Sequence, residues 1–351
     1  MSVVNVGVIG AGSISDFHLD AYRQHPDARL AAICDLNADR AREKALKYGI
    51  PHVYTDYREL LNNPEIDAVS ICTWNNTHAE ISIAALRAGK HVLVEKPLCR
   101  TVEEALEIER AVRETGNILQ VGFVRRYDDN ARMIKAFLQS GEFGEIYYAK
   151  ASCIRRNGNP GGWFADIERS GGGPLIDIGV HMLDLTLYLM GSPKPVSVYG
   201  TTYAEFGPRR RGLGDWGTPD WNGYYDVEDL ATALIKLDNG ATLSLEVSWA
   251  ANAAGLTDKP FVHLLGTEAG IGIVGGRGVV VRQTDGEVVE EELKPLDGED
   301  ERILLSRHFI ECVREGREPI APALSGYVNN RILSAIYESS RTGGEVKLSW
   351  D

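Results

Sequence analysis

Apolar residues occur first in short continuous runs and later in alternation with polar ones, and that change divides the chain. Up to Gly122, the runs Val3–Ile9, Leu30–Cys34, Ala68–Cys72, His91–Val94 and Ile118–Val121 are apolar with little polar interruption. Such runs suit strands buried on both faces. Between them, Ser15–Gln24, Ala38–Tyr48, Tyr57–Leu61, Thr77–Ala88 and Val102–Glu114 carry helical spacing, punctuated by Asn63-Pro64, Gly89 and Gly116. Alternation of this kind predicts a doubly wound α/β unit: an open parallel sheet with helices on both faces.

Beyond Gly122 the texture changes. A helix is predicted over Asp129–Ser140, then a strand with interleaved polar positions, Ile146–Ile154. Alternating runs follow at Val196–Tyr203, Leu230–Leu237, Ala241–Ser248, Phe261–Gly266, Gly270–Val274 and Val279–Gln283, with a hairpin turn at Asp238-Asn239-Gly240. This half reads as an α/β domain built on a large, mainly antiparallel open sheet. The segment Phe206–Tyr225, rich in Gly, Pro, Trp and Tyr, reads as a structured loop. Helices around Arg302–Glu315 and Leu324–Ser340 close the chain, the last expected to pack back on the first domain. The predicted division is 1–122 and 123–351.

Length and charge narrow the function classes. The 351 residues suffice for two cores, and a net charge of −13 argues against nucleic-acid or anionic-membrane partners. Five widely spaced cysteines without a Cys-x-x-Cys suit a reducing cytoplasm and offer no zinc pattern. No apolar run is long enough to span a membrane, and the chain enters a strand at once, which reads as a cytoplasmic protein without a leader.

The candidate chemistry gathers at strand ends and on one helix. Gly10-Ala11-Gly12-Ser13-Ile14-Ser15 follows a strand and opens a helix, with a serine in place of the third glycine. Gly10 suits the tight turn, Gly12 the approach of a pyrophosphate, and the N–H groups at Ser13 and Ile14 the phosphates. Asp35 ends the next strand, where an acid accepts from adenine-ribose hydroxyls and repels a 2′-phosphate. NAD is therefore expected over NADP, with Arg40 and Arg42 nearby as the complication. Thr73, Asn75 and His78 follow one strand, and Glu95 and Lys96 another, where an open α/β sheet binds ligands.

In Gly171–Asp184, a glycine run precedes an apolar segment carrying Asp177, His181 and Asp184 at i, i+4 and i+7. On a helix these share a face, forming either a satisfied buried polar cluster or an acid-supported general base. The Asp/His spacing also permits a metal, which Lys96 nearby would disfavour.

Together with Thr73-x-Asn75-x-x-His78, Glu95-Lys96-Pro97, Gln120-Val121-Gly122-Phe123 with Arg126, and Gly172-Gly173-Pro174-Leu175-Ile176-Asp177-Ile178-Gly179-Val180-His181, these motifs resemble the Gfo/Idh/MocA oxidoreductases over essentially the whole length. The resemblance implies a Rossmann domain over 1–122 and a substrate-binding and oligomerisation domain over 123–351. It also implies NAD(P)-dependent redox chemistry on a sugar or cyclitol carbinol. It makes Lys96, Asp177 and His181 the catalytic trio, adds Gln120 to the cofactor contacts, and allows a cis Lys96–Pro97 bond. Trp74 departs from the proline common at that position. A homodimer or homotetramer through the second domain's sheet is expected.

Arg126, Asn157, Trp163, Asp184 and Tyr225, beside Lys96, Asp177 and His181, are candidates to line the substrate, with Arg155, Arg156, Tyr224 and His308 as weaker ones. Aromatic faces suit a sugar ring. Two other functions compete: an NAD-dependent glycosidase that oxidises transiently and eliminates, and a non-catalytic NAD-binding regulator. The intact trio argues against the regulator.

Overall fold

The computed structural model describes residues 3–217, 225–254, 260–274, 276–294, 296 and 298–350. Its contacts separate two units: Met1–Tyr127 with Glu299–Asn330, and Asp128–Gly298 with Arg331–Asp351.

The first unit is built on β1 (Val4–Ile9), α1 (Ile14–Gln24), β2 (Ala28–Cys34), α2 (Ala38–Tyr48), β3 (His52–Tyr54), α3 (Tyr57–Leu61), β4 (Ala68–Ile71), α4 (Asn75–Arg87), β5 (His91–Val94), α5 (Val102–Thr115) and β6 (Leu119–Val121). The strands form a parallel sheet in the order β3-β2-β1-β4-β5-β6. Val6, Val8, Ala32, Ile33, Val69 and Leu93 are wholly buried, as the apolar runs require. The order reverses between β1 and β4, so the carboxyl ends of these strands flank the crevice where such sheets bind ligands. β3 escaped the sequence reading because it has three residues and none is buried.

A later helix also belongs here. Leu305, Phe309 and Ile310 join the first unit's core beside Leu19 and Tyr22. Val121 donates from its backbone to Ala321, and Gln120 bridges to Pro322. The apolar stripe of this helix, not its place in the chain, assigns it to the first unit.

The second unit contains α6 (Asp129–Gln139), β7 (Ile146–Ile154), α7 (Ile167–Ser170), α8 (Val180–Leu189), β8 (Pro195–Tyr203), β9 (Leu230–Leu237), β10 (Thr242–Ser248), β11 (Phe261–Gly266), β12 (Ala269–Val274), β13 (Arg277–Thr284) and β14 (Glu287–Glu292). The chain ends with α9 (Glu301–Glu315), α10 (Ala323–Thr342) and β15 (Val346–Lys347). The described strands form one sheet, β14-β13-β12-β11-β7-β10-β9-β8-β15, antiparallel except where β10 pairs with β7. The Asp238-Asn239-Gly240 turn joins β9 to β10 as predicted, with Gly240 at a positive φ of 86°. Ala149, Ala151, Leu243, Leu245 and Val247 are buried on the inner face, which α8 helps to cover. β14 is exposed at every position and mostly acidic, so alternation gave no sign of it.

No described helix is long and apolar enough to cross a membrane.

Candidate active site

The glycine turn shows why its sequence is what it is. Gly10 has φ +96°, and a Cβ there would lie 2.4 Å from the Cys72 carbonyl oxygen. Only glycine lets the ends of β1 and β4 approach this closely. A Cβ on Gly12 would meet nothing within 4 Å, so this backbone faces open space of the kind a diphosphate needs. No side chain caps α1, whereas Asn37 caps α2 and a Thr101–Glu104 capping box closes the start of α5. An uncapped helix start behind an open glycine turn fits an anionic ligand. Ser13 is exposed there and Ile14 half-buried. Behind the turn, Lys44 Nζ donates to the Gly12 carbonyl at 2.8 Å and to Ser15 Oγ at 2.9 Å, bracing the loop.

Asp35 is buried at the end of β2. Its Oδ2 accepts from the Ala11 N–H at 2.7 Å, and its Oδ1 accepts from the Asn37 N–H and the Arg40 guanidinium, each at 2.8 Å. Burial would raise this carboxyl, but the bonds from Arg40, Ala11 and Asn37 outweigh it and hold the group below its usual range. Asp35 thus shapes the glycine turn as well as standing where ribose hydroxyls are expected.

At the next strand ends, Thr73 Oγ1 accepts from Thr77 Oγ1 at 2.7 Å, and Asn75 is buried at the start of α4. The Lys96–Pro97 bond is cis. Glu95 and Lys96 are half-buried at the end of β5. His78 was expected among the cofactor contacts, and the structure corrects this. Its ring is wholly buried, with Nδ1 2.8 Å from the Pro97 carbonyl and Nε2 3.2 Å from that of Thr73. Burial lowers its pKa; the neutral ring donates to one of these two carbonyls, and both nitrogens face backbone rather than a ligand.

Gln120 is corrected likewise: it is wholly buried and its amide donates to the Leu305 carbonyl at 3.0 Å. Arg126 is buried, donates to the Ile320 carbonyl and lies over the Phe123 ring. His308 accepts from the Ile320 N–H at 3.0 Å, and burial, followed by the Arg317 charge, pushes its pKa down to about 4. The Gln120 and Arg126 bonds fasten the 299–330 segment to the rest of the first unit, the His308 bond closes within that segment, and both arrangements make poor substrate contacts of Arg126 and His308.

In the second unit the predicted single helix has a π-helical turn over Leu175–Gly179 before α8. A π turn shifts the angular spacing, so Asp177, His181 and Asp184 do not form the simple i, i+4, i+7 stripe. Burial separates them too. Asp177 and His181 are half-buried, while Asp184 is 1% exposed and lies inside the domain. Asp184 is thereby corrected from a substrate contact to an interior acid. Asp177 Oδ2 accepts from the indole N–H of Trp249, itself wholly buried, at 3.0 Å.

The glycine run before the π turn has a physical cause. A Cβ on Gly172 would lie 2.0 Å from the Tyr337 hydroxyl, and one on Gly173 would lie 2.0 Å from the Glu228 carbonyl oxygen. Glu228 accepts from the Gly173 and Leu175 N–H groups at 2.9 and 3.0 Å and from the Tyr337 hydroxyl at 3.0 Å. Burial pushes its carboxyl up.

The aromatic candidates form a cluster. Trp163 stacks on Phe164 with centroids 4.0 Å apart, Phe164 meets Trp216 edge-on at 5.4 Å, and the Arg155 guanidinium lies 5.4 Å above the Trp216 ring. Asn157 is exposed; the buried neighbour is Asn159, which donates to the Tyr225 hydroxyl at 3.2 Å. Arg156 is exposed and donates to the Ala253 carbonyl at 3.2 Å. Tyr224 and the rest of 218–224 lie outside the described residues. Among the described residues, no group of three or more His, Cys, Asp or Glu could hold a metal ion.

The sequence reading missed His18, Asn159, Glu228 and Trp249. Each is a polar group in an apolar setting whose partner is distant in the chain. An isolated buried-looking His or Glu was the available signal, and it names no partner.

Comparison with known proteins agrees with the fold. Residues 4–123 match the family model described as an oxidoreductase family with an NAD-binding Rossmann fold, and residues 131–272 match the GFO/IDH/MocA C-terminal domain. The chain is 33% identical to D-glucoside 3-dehydrogenase of Escherichia coli strain K12, covering 99% of this chain and 98% of that one. It is 30% identical to scyllo-inositol 2-dehydrogenase (NAD(+)) of Bacillus subtilis strain 168, covering 98% and 96%. A solved structure of levoglucosan dehydrogenase in complex with NADH superposes with a TM-score of 0.88 at 26% identity, covering 99% of this chain and all of that one.

Proposed function

This chain belongs to the GFO/IDH/MocA oxidoreductase family, with an NAD-binding Rossmann domain at its start, and from that premise we propose that it oxidises or reduces one carbinol carbon of a sugar, glycoside or cyclitol. Gly10, Gly12, Ser13, Ile14 and Asp35 would hold the dinucleotide, with Thr73, Asn75, Glu95 and Lys96 toward the nicotinamide end. Bound there, the nicotinamide supplies the hydride acceptor or donor.

Lys96, Asp177 and His181 handle the hydroxyl proton. His181 takes it as general base, since a neutral imidazole is suited to that work near neutral pH. Lys96 donates a hydrogen bond to the same oxygen and stabilises its developing negative charge. Asp177 orients the substrate and the base. The observation that carries this reading is the Trp249–Asp177 hydrogen bond, which anchors the acid on a π turn four residues before His181. π turns inside helices are frequent at functional sites.

Trp163 would offer a sugar an aromatic face whose plane its stacking on Phe164 fixes. The substrate class rests on the relatives, whose names span glucosides and inositols.

The test is a panel of inositols, free sugars and glycosides with NAD and NADP separately, read by NADH accumulation and by aglycone release. Net NADH with a glycoside or inositol supports the dehydrogenase. Aglycone release without NADH favours the redox-assisted glycosidase. Tight NADH binding with no turnover of any substrate favours a regulator.

A further inference from the structure

We propose that His18 and Glu95 form a buried ion pair that positions Lys96 and sets the electrostatic field at its ammonium group. The inference rests on the assignment of Lys96 to proton handling.

The two residues come from different elements of the first unit, α1 and the end of β5. His18 is 4% exposed, and its Nε2 lies 2.9 Å from Glu95 Oε1. The other carboxylate oxygen, Oε2, accepts from the backbone N–H of Lys96 at 3.2 Å. One carboxylate therefore links an imidazole on α1 to the backbone of Lys96.

The pair is pinned from the β6 side as well. A Cβ on Gly122 would lie 3.2 Å from Glu95 Cα and 3.3 Å from its Cδ and Oε2. Glycine at that position lets the carboxylate sit against the chain leaving β6.

Other titratable groups face the pair. On α1, the Tyr22 hydroxyl shares a 2.7 Å hydrogen bond with Ser70 Oγ, and burial pushes its pKa well up, so it stays a phenol. On α4, His78 is held neutral by burial. Past β4, the Cys72 sulfur adjoins His18. For His18 itself burial opposes charge, but the Cys72 sulfur and the Glu95 carboxylate outweigh it and push the imidazole up to about 10. For Glu95 burial raises the carboxyl, yet His18 and Lys96 prevail and lower it. The pattern is cation, anion, cation, with Lys96 last. A buried pair is weak evidence for stability, because its desolvation cost offsets much of the attraction. Its contact with Lys96 gives it a role beyond packing.

The charge order makes the test directional. The test reads the alkaline limb of the kcat–pH profile. Lys96→Arg, which keeps its charge at all working pH values, identifies that limb by abolishing it. Glu95→Gln removes the neighbouring anion and should move the limb down by roughly one pH unit; His18→Gln removes the distal cation and should move it up, by less. The double variant leaves no unpaired buried charge, so it serves even where Glu95→Gln folds poorly, and its limb should return toward wild type with kcat still reduced. NADH affinity by fluorescence titration should stay within about threefold in His18→Gln, which is not among the dinucleotide contacts. A limb that stays put in His18→Gln, or moves the same way in both single variants, overturns the proposal. Full activity in Lys96→Ala overturns instead the assignment of Lys96, and with it the premise.

Discussion

Gly10 and Gly12 sit two residues apart and should respond differently to the same small change. At Gly10 a methyl group collides with the Cys72 carbonyl and the backbone has a positive φ, so Gly10→Ala should destabilise the fold and abolish NADH binding. At Gly12 the methyl enters open space, so Gly12→Ala should keep its melting temperature and weaken NADH alone. Thermal melts beside fluorescence titrations of both variants check this contrast. His18 gives a pH prediction. Its folded pKa, about 10, stands above the ordinary 6.5, so the folded chain keeps a proton that the unfolded chain releases. The stability this contributes is complete below about pH 6.5 and is lost as pH rises through about 10. His18→Gln should flatten the fall in melting temperature between pH 7 and 10; an unchanged slope would show that another group carries it. At this scale the glycine turn and the strand-end places of Asp35 and Lys96 were legible, because both follow from local spacing. His18, Glu228 and Trp249 were not, because each acts through a partner brought close only by folding. The same cause explains His78, Gln120 and Asp184, whose polarity suggested ligands and whose burial shows interior partners.

The π turn over Leu175–Gly179 is the element that the residue pattern could not foresee. Apolar and polar residues recur there much as in an α-helix, and the extra residue per turn leaves no compositional mark. Its support is legible only in three dimensions. Glu228 takes two backbone N–H groups at the start of the turn, and the glycine run exists because Tyr337 and the Glu228 backbone come too close for any side chain. Glu228→Ala would leave those N–H groups and the Tyr337 hydroxyl without their acceptor. The expected cost is about 2–4 kcal/mol of stability, and the activity loss should exceed that of Glu228→Gln, which keeps one acceptor oxygen. Equal stability of the two variants in urea melts would contradict the anchoring role. The doubly wound parallel arrangement and the large, mainly antiparallel sheet were readable from hydrophobic period alone, down to the β9–β10 hairpin. The short β3 and the acidic β14 were not, since neither buries a side chain.

For the whole molecule, one face of the second unit's sheet carries exposed apolar residues. Tyr199 and Leu234 are cross-strand partners, 53% and 51% exposed, and Tyr203 and Leu265 lie on the same face. Exposed apolar positions shared by neighbouring strands mark association surfaces. Self-association through this face into a homodimer or homotetramer is the expectation, and Tyr199→Glu with Leu234→Glu should lower the mass measured by light scattering. A wild-type protein that already runs as a monomer removes this expectation.

The central claim, a sugar or cyclitol dehydrogenase using Lys96 and His181, is tested most directly by NADH formation across the substrate panel in wild type, Lys96→Ala and His181→Ala, each paired with an NADH titration. The account predicts NADH in step with substrate oxidised by the wild type, turnover lowered about 10²–10⁴-fold in both variants, and NADH affinity nearly unchanged. Variants that lose NADH binding as fully as turnover, or a wild type that releases aglycone while no NADH accumulates, would contradict it.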